Sequence, residues 1–225
     1  VAQIVQYGDG ELPQGGKGEA ASKTYLVKQV LKLAGECAEH LVAPQTVIEF
    51  CTAQIAAYES LSTPGPRKTA NDTLRQLQTK IILARMVQRY ARVKARMQVL
   101  DYGDLIALAA RIARDVPQAV QLERERYKVV LLDEFQDTSH AQLQLFSDLF
   151  GTRAAEGEHP GYGEHPVMAV GDPKQSIYGF RGASDGQLFS FYRYFPTADE
   201  TPLYLTVAWR NDTAILDAAN LIAEP

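Results

Sequence analysis

The sequence predicts an α/β fold, a parallel sheet with flanking helices, joined to an all-helical accessory region. Three observations carry this. Short apolar runs at 129–132, 167–170 and 203–207 alternate with helical patterns, and strand–helix alternation implies parallel pairing. Before residue 98, apolar residues recur at three- and four-residue spacing instead. The charge also divides: residues 1–100 hold 13 Lys+Arg against 8 Asp+Glu, and residues 101–225 hold 10 against 19. A net of +5 beside a net of −9 suggests two units with different partners. The expected boundaries are 1–98 for the helical unit and 99–225 for the α/β unit.

In the first unit, helices are expected at 24–38 and 44–61, the second with Val47, Phe50, Ile55 and Tyr58 on its apolar face. Ser62-Thr63-Pro64-Gly65-Pro66 breaks the pattern. A long helix at about 69–97 follows, with Leu74, Leu77, Ile81, Ala84, Ala91 and Ala95 on one stripe. Arg85, Arg89, Arg92 and Arg96 recur at steps of four, three and four, so they share a face. Residues 67–96 hold nine Lys/Arg and one acid, Asp72. A solvated charged face is the bland explanation. Solubility does not require a single sign, however, because like charges at i,i+4 repel. A one-signed stripe is the electrostatic footprint of contact with a phosphate backbone.

In the second unit, 104–114 is expected to be a short helix that Pro117 ends or redirects. The run Val129-Val130-Leu131-Leu132 reads as a buried strand, and Asp133-Glu134 stands at its carboxyl end, where open α/β sheets bind ligands. An Asp there can hold Mg²⁺, which takes one or two carboxylates plus phosphate oxygens. The neighbouring Glu can orient or deprotonate a water. A helix at 139–150 directs Leu143, Phe146, Leu149 and Phe150 inward, and 151–166 reads as a surface loop. His159 and His165 in that loop have no further ligand at metal-binding spacing. A last helix at 213–223 has Ile215, Leu216, Ala219 and Ile222 as its core face. Cys37 and Cys51 form no disulfide framework and read as reduced core thiols. There is no run of 18 apolar residues and no basic-then-apolar leader, so no membrane partner is expected.

Three stretches together carry a resemblance: Asp133-Glu134-Phe135-Gln136-Asp137-Thr138, the segment from Gly171-Asp172-Pro173-Lys174-Gln175 through Ser176-Ile177-Tyr178-Gly179-Phe180-Arg181-Gly182-Ala183, and Leu205-Thr206-Val207-Ala208-Trp209-Arg210. They resemble motifs II, III and IV of superfamily 1A DNA helicases, the UvrD/Rep/PcrA group and its RecB-like relatives. Leu100 to Ile106 looks like the short motif before motif II. The resemblance is specific from about Leu100 onward. It implies a partial RecA-like P-loop NTPase core, the later part of domain 1A, behind a helical domain 1B.

The resemblance also assigns roles. Asp133 would hold Mg²⁺ and Glu134 would activate water. Gln175 would sense the γ-phosphate of ATP, a task suited to an amide that both donates and accepts. Arg210 would clamp the γ-phosphate as charge develops. Trp209, where the family usually has Tyr, would stack on adenine. Tyr178, Phe180 and Arg181 would form part of a platform for single-stranded DNA, with Phe180 in place of the more usual Trp. Lys174, where many members carry an acid, is closer to RecB- and AddA-like helicases.

The P-loop, G-x-x-x-x-G-K-[ST], is missing. Gly10 to Gly18 fails its spacing, having Glu11 where Gly is needed and Gly18 in place of the Ser/Thr. The chain is therefore expected to be an inactive piece of a bacterial cytoplasmic, nucleoid-associated repair or recombination helicase. Single-stranded and junction DNA would be its ligands. The P-loop part of 1A and the second RecA-like domain would be its partners in the full-length chain. The alternative is a module that keeps the fold and binds nucleic acid or protein without hydrolysis. A P-loop in the upstream gene sequence separates the two.

Overall fold

The computed structural model describes residues 22–60, 67–151, 165–177, 186–189, 191–196 and 201–223. Among the described residues five helices come first: α1 (Lys23–Glu39), α2 (Pro44–Glu59), α3 (Arg67–Met97), α4 (Tyr102–Asp115) and α5 (Pro117–Arg126). Strand β1 (Val130–Leu132) leads through a 3₁₀ turn (Phe135–Asp137) to α6 (His140–Phe150). Strand β2 (Val167–Ala169) leads to a second 3₁₀ turn (Pro173–Gln175), and α7 (Gly186–Phe189), α8 (Phe191–Tyr194) and α9 (Thr213–Ala223) follow. The described chain is thus mostly helical, with a small parallel sheet of two strands.

The helical part is built on α3. Leu26 and Val30 of α1 pack against Leu83, Met86 and Val87 of α3. The expected α3 stripe holds through Leu74, Leu77, Ile81 and Ala84 and then turns, leaving Ala91 and Ala95 exposed. The inward side of the last turns is taken by Tyr90 and Lys94 instead. Lys94 Nζ bonds Asp101 Oδ2 at 2.6 Å and Asp104 Oδ2 at 2.5 Å, and lies 4.4 Å from the Tyr90 ring centroid. Tyr90 Oη donates to the same Asp101 oxygen at 3.2 Å. Asp101 and Asp104 also form a capping box on α4, each side chain accepting from the other's backbone N–H. Gln98, at φ 54°, ends α3 in the left-handed region, and Val99 N–H returns to Lys94 O. One ionic cluster therefore closes the long helix and starts the next.

Burial works to lower the Lys94 pKa, but the two carboxylates outweigh it and hold the ammonium above its usual range. Burial likewise works to raise Asp101, and the bonds from Lys94 and the Asp104 N–H hold it below the usual carboxylate range. A depressed carboxylate contributes stability above its unfolded pKa, which is lost as pH falls through the folded value. A raised lysine contributes below its own unfolded value. The cluster is therefore expected to stabilise the fold between about pH 4 and pH 10. Lys94→Ala should lower stability at pH 7 by about 1–2 kcal/mol, reduced from the full charged-bond value because Asp101 is partly exposed. Thermal unfolding of the variant should lose less stability than wild type between pH 5 and pH 3; a parallel loss would remove the cluster as the cause.

Pro117 redirects the chain as expected: α4 ends at Asp115, and Pro117 occupies the first turn of α5, where its missing N–H costs nothing. Two features depart from the sequence expectation. Residues 203–207 form no strand. Leu203, Tyr204, Leu205 and Val207 are exposed, and no ladder partner lies beside them among the described residues, so their backbone has nothing to pair with. The expected core face of α9 is likewise open, with Ile215, Ala219 and Ile222 exposed and only Leu216 half-buried.

A second core supports the sheet. Phe135, Leu143, Phe150 and Phe195 are buried, with Val130, Leu132, Val167, Ala169, Phe146 and Leu149 packed against them. Leu131 and Met168 alternate to the other face and stay exposed. Arg124 of α5 donates to Leu149 O at 3.1 Å, satisfying a carbonyl at the C-terminus of α6. Cys37 and Cys51 are buried free thiols. Among the described residues no helix is long and apolar enough to cross a membrane.

Candidate nucleotide site

The site lies where both strands end. The pairing Val130↔Val167, Leu131↔Met168 and Leu132↔Ala169 sets the register. Val170 N–H then donates to Leu132 O at 2.8 Å, and Phe135 N–H to Val170 O at 3.0 Å. Asp133-Glu134 and Gly171-Asp172 therefore leave the sheet side by side. Phe135 is 0% exposed and meets Phe191 edge to face, with centroids 5.6 Å apart. That anchor fixes the turn, while the two preceding carboxylates stay in solvent.

Glu134 has φ 50° and ψ 40°, the left-handed region that non-glycine residues enter at a cost of about 1–3 kcal/mol. Asp133 Oδ1 accepts from Glu134 N–H at 2.9 Å, which offsets part of that cost, and Asp133 Oδ2 takes no hydrogen bond among the described residues. Glu134 Oε2 accepts from Gln136 Nε2 at 2.7 Å. Gln136 Oε1 accepts from Asp172 N–H at 3.0 Å, and its backbone carbonyl accepts from Ser176 Oγ at 3.2 Å. Asp172 Oδ2 accepts from Gln175 Nε2, and Asp172 Oδ1 from Lys174 N–H, both at 2.9 Å. Hydrogen bonds thus run without a break from Glu134 to Gln175.

Of the residues expected to form the site, the structure brings together Asp133, Glu134 and Gln175. Trp209 and Arg210 lie on the exposed 201–212 stretch, Trp209 at 92% exposure. Neither is joined to the carboxylates by a hydrogen bond or ion pair among the described residues. Their placement needed the strand at 203–207, which does not form. Tyr178, Phe180 and Arg181 lie outside the described residues, as do Gly10 to Gly18 and His159. Arg85, Arg92 and Arg96 are exposed along α3, and Arg89 is half-buried between them. Sequence reasoning missed Gln136, Gly171 and Asp172 as site residues. The available signal was an amide two residues after the carboxylate pair, in a turn otherwise fixed by apolar packing.

An exposed Asp at a strand end suits Mg²⁺, which needs only one or two protein carboxylates. No cluster of three or more His, Cys, Asp or Glu forms a self-contained metal cage among the described residues. His165 stacks on Phe150 with centroids 5.2 Å apart, and burial, with Arg124 nearby, pushes its pKa down.

The profile of the UvrD/REP helicase N-terminal domain matches residues 18–196. The chain is 36% identical over 140 residues to ATP-dependent DNA helicase UvrD1 of Mycobacterium bovis, covering 62% of the chain and 17% of that protein. It is 31% identical over 161 residues to ATP-dependent DNA helicase PcrA of Staphylococcus aureus, covering 71% and 20%. It is 33% identical over 141 residues to RecBCD enzyme subunit RecB of Mycobacterium tuberculosis, covering 62% and 11%. The chain spans a fifth or less of the length of these relatives. A match over most of its residues, with the carboxylate pair and the Asp172–Gln175 turn inside it, makes the chain a member of the UvrD/REP helicase N-terminal domain family.

Proposed function

We propose that this chain is part of an ATP-dependent DNA helicase that couples ATP hydrolysis to movement along single-stranded DNA and unwinding of duplex, in bacterial DNA repair or recombination. The observation that carries this is the carboxylate pair at the end of β1, bonded through Gln136 to the Asp172–Gln175 turn. Residues 1–98 would be a 1B-like accessory unit, and 99–225 the later part of a RecA-like motor domain. The P-loop and a second RecA-like domain would complete the site in the full-length protein, which would work in the cytoplasm on the nucleoid.

In this reading Asp133 Oδ2 would hold Mg²⁺, which when bound neutralises charge on the β- and γ-phosphates of ATP. Glu134 Oε2 is engaged by Gln136, so Oε1 accepts the proton of the attacking water. Gln175 reports the γ-phosphate through Asp172. Arg210 stabilises transition-state charge, as arginine fingers do, and Trp209 stacks on adenine. Both would be brought in when nucleotide and the remaining domains are present. Tyr178, Phe180 and Arg181 would stack and clamp single-stranded DNA. Arg85, Arg89, Arg92 and Arg96 would follow the backbone of a duplex or junction.

Expected results are DNA-stimulated ATP hydrolysis and strand separation by the full-length protein, and no ATP hydrolysis by the 225-residue chain alone, whose sequence holds no P-loop. Full-length protein that binds DNA but never turns over ATP would instead support the non-hydrolysing module.

The arginine face has its own test. Removing one charge–phosphate interaction flattens the slope of log K against log[salt] by about 0.7–0.9. Arg89→Gln with Arg92→Gln should therefore reduce the slope by up to about 1.8 for a duplex, and weaken unrelated sequences alike. An unchanged slope in salt titrations would assign this face to solvent or to an acidic protein.

A further inference from the structure

Gln136 is 1% exposed, yet its side chain is an amide. Burying an amide is costly unless both ends are bonded. Here both are: Nε2 donates to Glu134 and Oε1 accepts from the Asp172 N–H. Ser176 Oγ closes on its backbone carbonyl from the same turn. Gly171 leaves the room required. A Cβ at that position would stand 2.6 Å from Gln136 Oε1 and 3.2 Å from Gln136 N. An apolar residue of equal length could fill this space only by leaving the Asp172 N–H without its acceptor, so the volume alone does not ask for Gln. The partners do. One is the carboxylate of an exposed glutamate on a left-handed backbone, and the other is the first N–H of the turn carrying Gln175.

We infer that Gln136 is a positioning residue that holds the Glu134 carboxylate in one orientation and ties it to the Asp172–Gln175 turn. This rests on the reading of Glu134 as the base. A long side chain in solvent samples several rotamers. The bond to Oε2 removes that freedom and engages only one of the two carboxylate oxygens. Because the same amide grips Asp172, a shift of the γ-phosphate-sensing turn moves the base with it. Glutamate at 136 would keep the acceptor toward Asp172 but set a second carboxylate against Glu134. Methionine would keep the volume and lose both bonds.

The test uses the full-length helicase with Gln136→Met, Gln136→Glu, Glu134→Gln and the double variant Glu134→Gln/Gln136→Met. Single-turnover ATP hydrolysis is measured with saturating single-stranded DNA, and binding with a fluorescent non-hydrolysable ATP analogue. Gln136→Met and Gln136→Glu are each expected to slow hydrolysis about ten- to a hundredfold, the usual scale for a misplaced reacting group. The Kd of the analogue should stay within about twofold, because binding does not use the base. The double variant should be no slower than Glu134→Gln alone, since a residue acting through Glu134 has nothing left to position. Gln136→Glu carries the test by itself if Gln136→Met does not melt as a folded protein. Additive losses in the double variant, or a rise in Kd matching the loss of rate, would overturn the inference. Normal rates in both Gln136 variants would do the same. Absence of turnover in the wild type would instead overturn the helicase reading on which the inference stands.

Discussion

Glu134→Gln in the full-length protein is expected to leave nucleotide affinity nearly unchanged and to lower kcat by at least about a hundredfold, the scale for losing a general base. The substitution keeps the shape of the side chain. It also keeps an oxygen that accepts from Gln136 Nε2, so the hydrogen-bonded path to Gln175 survives. What disappears is the acceptor for the proton of water. The Asp133 carboxylate is untouched, so nucleotide held through Mg²⁺ should bind as before. Parallel measurement of analogue binding and steady-state hydrolysis checks this. An equal fall in both would assign Glu134 to holding metal or structure.

The second large effect is on stability. Phe135→Ala should destabilise the chain by about 3–5 kcal/mol, the range for truncating a fully buried aromatic. Phe135 is 0% exposed and touches Phe191, and the cluster around it joins α6, both strands and Phe195. Urea unfolding of the 225-residue chain provides the measurement. A loss below about 1 kcal/mol would mean that the site folds back over the cavity. The same variant bears on function, because Phe135 lies between Glu134 and Gln136. Loosening it releases the turn that sets the left-handed φ of Glu134.

The longer helices were largely legible in the sequence, though α5 was not expected. Periodicity placed α1, α2, α3, α4 and α6, because one apolar stripe and a local stop signal decide a helix. Pro117 marked the break between α4 and α5, but Pro can stop a helix or start one, and the sequence did not show that α5 begins there. The two strands and the carboxylates after them were legible because an uninterrupted apolar run ending in charge has few alternatives. The run at 203–207 looked just as strand-like. A strand, however, exists only by pairing, and no composition can supply a partner. The same reason leaves the apolar face of α9 open: amphipathicity states which side can be buried, and packing decides whether it is.

At the site, the sequence determined the chemistry, namely which residues can carry charge, accept a proton or bond a phosphate. It placed Asp133, Glu134 and Gln175 among the candidates by type and position. Tertiary structure alone decided that Gln136 joins Glu134 to the Asp172–Gln175 turn. Those partners stand 36 residues apart, and only the parallel register of β1 with β2 brings them within one hydrogen bond. Tertiary structure also turned the α3 seam away from Ala91 and Ala95. The carboxylates that draw Lys94 inward belong to α4 and its cap, and an interaction across two elements leaves no periodic trace in either.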